Sequence, residues 1–140
     1  MAEKMTERSK YKPRRIRSIH PEQWMDEDFV DLSFAGRLLA IAIRNFCDDR
    51  GVFEWRPKAI KMQIFAADDM TANDVEQLLL EMVDCNQARR FEVDGRIYGA
   101  VRNFQEYQNP KKPREAYPLP DDLISYVGGD GDADSSAPSA

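Results

Sequence analysis

The hydrophobic period of this chain changes abruptly after Asn86, and that change constrains the fold more than any other feature. Before it, Val75, Leu78, Leu79, Met82 and Val83 recur at i, i+3, i+4, i+7 and i+8, which predicts an amphipathic helix over about 71–85 with Thr71 as its cap. After it, Arg89-Arg90-Phe91-Glu92-Val93 and Arg96-Ile97-Tyr98-Gly99-Ala100-Val101 alternate with period two around Asp94-Gly95. That dipeptide tolerates the positive φ angles of a tight turn, so 88–93 is expected to pair antiparallel with 96–102. A helix feeding directly into a hairpin leaves few arrangements for the rest of the chain.

Upstream, residues 1–13 are polar and read as a flexible basic arm. Arg15 to Ile19 alternates briefly and predicts a short strand. Pro21 suits the first position of a short helix running to about Phe29, which would offer Trp24 and Met25 to the core. Ser33 is a good cap for a central helix over 33–47, whose apolar surface comprises Leu38, Leu39, Ile41, Ala42, Ile43 and Phe46. Asp48-Asp49-Arg50-Gly51 breaks that helix, Val52 to Trp55 forms a short strand, and Pro57 opens a helix over 57–65. The expected class is therefore α+β, mainly helical, with a winged helix-turn-helix architecture: a three-helix core plus a C-terminal β-hairpin wing. The domain is expected over 14–115, and 116–140 reads as a Pro-rich stretch followed by an acidic, disordered tail, mobile from about 127. A chain of 140 residues suits one domain with a real core. No run approaches the ~18 apolar residues of a membrane span, and the cytoplasm is the expected location.

Catalytic chemistry finds little footing. The two cysteines, Cys47 and Cys85, fall within expected helices as small apolar core residues, and His20 is the only histidine. Asp48-Asp49, Asp68-Asp69 and Asp121-Asp122 are adjacent carboxylates, but neighbouring side chains diverge, and all three pairs sit at element ends where Asp favours turns and caps. With no Gly-rich phosphate loop and no nucleophile–base arrangement, neither an enzyme nor a cofactor is expected. Phe53, Trp55, Phe65, Phe91 and Tyr98, together with Trp24, are expected in the core rather than on a base-stacking platform. Phe104 and Tyr107 are expected to close the core.

Arg15-Ile16-Arg17-Ser18-Ile19-His20-Pro21-Glu22-Gln23-Trp24, Leu32-Ser33 through Arg37-Leu38-Leu39, and Asp48-Asp49-Arg50-Gly51-Val52-Phe53 form an ordered series of short motifs. Glu92-Val93-Asp94-Gly95-Arg96-Ile97-Tyr98 and Asn103-Phe104 to Gln108 continue it. Over roughly 14–115 the series resembles the winged-helix proteins of phages and prophages of the replication-initiator, or replisome-organiser, type. The resemblance implies a DNA-binding fold acting in phage replication or its regulation, with a replication protein as a further partner. Longer members of that family continue into a second domain that contacts a helicase or its loader, where this sequence has its acidic stretch.

The charge distribution narrows where DNA would be held. The net charge is −5, yet residues 1–20 carry seven bases against two acids, while 121–140 carry five aspartates and no base. The helix over 71–84 has Asp74, Glu76, Glu81 and Asp84 and no base, so it is expected to repel phosphates and not to be the main reader of the major groove. Asn73 and Gln77 are its two side chains suited to adenine edges. The bases expected to grip phosphates lie in the arm (Arg14, Arg15, Arg17), on the helix over 57–65 (Arg56, Lys58, Lys61) and on the hairpin (Arg89, Arg90, Arg96). The rival expectation is a protein-interaction module, an adaptor, loader or inhibitor, that uses its acidic faces without binding DNA.

Overall fold

The computed structural model describes residues 12–129. The chain enters as an extended segment, makes a 3-10 turn over Pro21–Met25, and continues into α1 (Glu27–Val30), which Asp26 caps by accepting from the Asp28 N–H at 3.1 Å. Ser33 caps α2 (Phe34–Ala42) by accepting from the Gly36 N–H at 3.0 Å, and α2 tightens into a 3-10 turn over Ile43–Phe46. After β1 (Val52–Glu54), Pro57 supplies the start of α3 (Pro57–Ile64). Thr71 and Asp74 form a reciprocal capping box on α4 (Ala72–Asp84). The hairpin of β2 (Ala88–Val93) and β3 (Arg96–Val101) follows, then the single turn α5 (Phe104–Tyr107).

The three strands form one antiparallel sheet in the order β1-β3-β2, with Val52 opposite Ala100, Phe91 opposite Tyr98 and Val93 opposite Arg96. The expected hairpin is present in its expected register. Asp94 and Gly95 have φ of 52° and 79°, the consecutive positive angles that match the twist of the flanking strands. The protein is thus α+β with a mixed helical and sheet core.

Strand alternation divides the sheet into two faces. One carries Phe53, Trp55, Ala88, Ile97 and Val101 toward the helices, where Phe29, Leu39, Ile43, Ile60, Val75, Leu79 and Met82 complete the main core. Gly99 lies on this face because a Cβ there would collide with the Phe53 ring. The other face carries Phe91 and Ala100, which pack with Leu119, Leu123, Tyr126 and Val127. The packed body therefore continues beyond 115, since Leu123 and Val127 are buried. Prolines and aspartates mark 116–129 as irregular, but its few apolar side chains are spaced to cover a sheet face. The tail from 130 onward, and most of the 1–13 arm, lie outside the described residues.

Three local expectations are corrected. Residues 14–20 form no strand, since their backbone joins Asn45 (Arg15 N–H to Asn45 O, 2.9 Å) instead of the sheet edge. Trp24 and Met25 are 52% and 80% exposed, because the tight 3-10 turn carries them outward and leaves Phe29 to fill the core. Tyr107 is also exposed, while Phe104 is buried as expected.

Candidate nucleic-acid interface

Asp48 and Asp49 are fully buried, and they determine which of the arm bases remain available. Asp48 accepts from the N–H groups of Arg50 and Val52 through Oδ1, and from those of Ala116 and Tyr117 through Oδ2, at 3.0–3.1 Å. Asp49 Oδ2 accepts from the Arg114 N–H at 2.8 Å and from Arg15 Nη1 at 2.9 Å, and Oδ1 faces Arg17 Nη2 at 3.0 Å. Burying two carboxylates is costly unless cations and donors surround them, and here they join three distant segments: the arm, the turn before β1 and residues 114–117. The two aspartates do terminate a helix, as the sequence suggested. Nothing in a polar tetrapeptide distinguishes an exposed turn from a buried hub.

Arg15 and Arg17 consequently hold the arm to the body of the fold, a role their sequence context does not announce. Arg17 is almost fully buried; it donates to the carbonyls of Arg44 and Cys47 at 3.0 and 2.9 Å, and its guanidinium lies 4.8 Å from the Phe104 ring centroid. Arg15 keeps part of its side chain in solvent but is held by Asp49. Arg102, another hairpin base, is likewise engaged, by Asp28 and Asp26 at 3.0 and 2.9 Å.

Arg14 and Arg56 are different. Both are exposed, and the side chain of neither makes a hydrogen bond or ion pair among the described residues. Together with Lys12, which meets Glu54 at 3.6 Å, they line one cavity of about 190 Å³ whose floor includes Ile43, Phe53 and Ile60. The structure thus brings the arm and the start of α3 to one place. Lys58 is exposed on α3, and Lys61 turns its ammonium toward the Ala66 carbonyl at 3.4 Å. Arg96 is exposed at the hairpin tip beside Asp94-Gly95. Arg89 and Arg90 emerge on opposite faces of β2, over the rings of Tyr126 (4.3 Å) and Trp55 (5.4 Å).

The acids of α4 are mostly committed. Asp74 belongs to the capping box, Glu76 accepts from Trp55 Nε1 at 3.0 Å, and Glu81 accepts from the Ser33 N–H and hydroxyl at 3.1 and 2.8 Å. The outward stripe of α4 is Asn73, Gln77, Leu80 and Asp84, at helical spacing and all exposed. Asp74 is exposed beside this stripe, and the donors to Glu76 and Glu81 are neutral, so α4 remains acidic and makes no ion pair among the described residues.

Among the described residues, no group of three or more His, Cys, Asp or Glu side chains is placed to hold a metal ion, and no helix is long and apolar enough to cross a membrane. Comparison with protein-family models, curated proteins and solved structures finds no match to this chain.

Proposed function

We propose that this chain is a winged-helix DNA-binding protein acting in phage DNA replication initiation or its regulation, and not an enzyme. In this reading α2, α3 and α4 are the three-helix core, the arm and α3 grip phosphates, and the β2–β3 hairpin is the wing. The element order and the β1-β3-β2 sheet suit that assignment. The observation that carries it is the meeting of Arg14 and Arg56, exposed and unpaired among the described residues, at one cavity. Cations that no carboxylate of the fold neutralises are the ones free to replace condensed counterions on a phosphate backbone. Lys58 extends that patch, Arg96 contacts a phosphate or the minor groove from the wing tip, and Asn73 and Gln77 present amides to base edges.

A second reading has its own observation. Phe34 and Leu38, one turn apart on α2, are 81% and 56% exposed, an apolar pair that suits a protein partner such as a replication protein. Electrophoretic mobility of a random-sequence duplex separates the two. DNA binding predicts a retarded band that fades between low and moderate salt and is lost when Arg14 and Arg56 are both replaced by Ala. The interaction module predicts no retardation at either salt.

A further inference from the structure

A second cavity, of about 220 Å³, lies between the Pro21–Met25 turn, the end of α2 and α5. Part of its polar lining is already engaged. Gln108 exchanges two hydrogen bonds with the Ser18 backbone, at 2.8 and 2.9 Å. His20 Nε2 meets the Tyr107 carbonyl at 3.0 Å, Gln87 Nε2 donates to the Cys85 carbonyl at 3.2 Å, and Arg102 is held by Asp26 and Asp28.

Among the remaining polar side chains, which include Glu22, Asn103 and the Tyr107 hydroxyl, two donors stand out for their burial. Gln23 Nε2 is buried without a hydrogen-bond acceptor. The Arg44 side chain makes no hydrogen bond or ion pair among the described residues, although burial is strong enough to push its pKa down. Glu22 also lines the cavity, but it is exposed and makes no ion pair with Arg44. A guanidinium partly removed from water with no counter-charge is unfavourable in the free protein. An acceptor entering from solvent would satisfy it at the strength of a charge-assisted, two-pronged contact.

We propose that this cavity binds a small free anion of the carboxylate or phosphate type, held by the Arg44 guanidinium and the Gln23 side-chain amide. The volume lies below the ~300 Å³ of drug-sized pockets, so the ligand is compact. Apolar Ala40, Met82, Val101 and Phe104 complete the wall and limit competition from water. The site uses none of Arg14, Arg56, Asn73 or Gln77, so it stands or falls apart from DNA binding.

The test is a two-dimensional ¹H–¹⁵N titration of the full chain with inorganic phosphate and, separately, acetate, each replacing chloride at constant ionic strength. The proposal expects saturable shifts of the Gln23 side-chain amide and the Arg44 Nε–H, complete within about 10 mM for a single charge-assisted contact. The anion that saturates first identifies the preferred chemistry. Arg44→Gln is expected to weaken binding at least about tenfold, and Arg56→Gln to leave it unchanged. Should Arg44→Gln lose its dispersed spectrum, Gln23→Leu decides, with an expected weakening of about threefold or more. Linear, unsaturating shifts with both anions, unchanged affinity in either cavity variant, or shifts produced by duplex DNA alone would overturn it.

Discussion

Arg17 Nη2 stands 3.0 Å from Asp49 Oδ1, with the two side chains 5% and 0% exposed. The pair links the arm to the turn before β1, and Asp49 extends the link to Arg114 through its other oxygen. A buried ion pair is a weak source of net stability, but removing one partner strands the other charge out of water. Arg17→Ala is therefore expected to destabilise the fold by about 3–5 kcal/mol. Arg14→Ala, three residues away but exposed, should stay within about 0.5 kcal/mol of wild type. Urea denaturation of both variants checks the contrast; equal effects would contradict the division of the arm into structural and free cations.

The segment 116–129 makes a second stability prediction. Leu123 is buried against Ala100 and Val127 on the sheet face away from the helices. Leu123→Ala should cost about 2–5 kcal/mol, the usual range for a buried leucine. A thermal midpoint unchanged from wild type would mean that this face does not depend on its cover.

The fold follows from the sequence wherever a period or a turn dipeptide fixes it. The spacing from Val75 to Val83 predicts α4, and Asp94-Gly95 predicts the hairpin register, because both signals are local. The misreadings share one physical cause, which is dependence on partners distant in sequence. Arg15 and Arg17 resemble Arg14 until Asp49 is placed beside them. Residues 116–129 resemble a tail until Phe91 and Ala100 are seen to need cover. Of the candidate site, the exposed cations were legible as residue types, and the cavity joining Arg14 to Arg56 was not.

The buried thiol gives a pH dependence with a definite sign. Burial, reinforced by the neighbouring Asp48 carboxylate, pushes the Cys47 thiol far above its ordinary range, and burial with nearby carboxylates raises Cys85 as well. In the unfolded chain these thiols ionise near about 8.5. The contribution of Cys47 is therefore fully present below that value. It is lost as pH rises above it, because the unfolded state then gives up a proton that the folded state retains, at up to about 1.4 kcal/mol per pH unit. Denaturation midpoints between neutral and alkaline pH should fall less steeply for Cys47→Ala than for wild type. Identical slopes would contradict the assignment.

The claim that this fold holds DNA through cations its own carboxylates leave free is tested most directly by fluorescence anisotropy of a labelled duplex at several salt concentrations. Wild type is expected to bind at about 50 mM salt, with affinity falling linearly in log–log form as salt rises. Arg14→Ala and Arg56→Ala should each reduce that slope by about 0.9, the share of one phosphate contact, on every sequence tried. Asn73→Ala and Gln77→Ala should leave the slope intact and relax preference at one base pair by about 1–3 kcal/mol. Absence of binding to any duplex by the folded wild type at about 50 mM salt, where even weak phosphate contacts register, would contradict the DNA-binding account and leave the protein-interaction reading in its place.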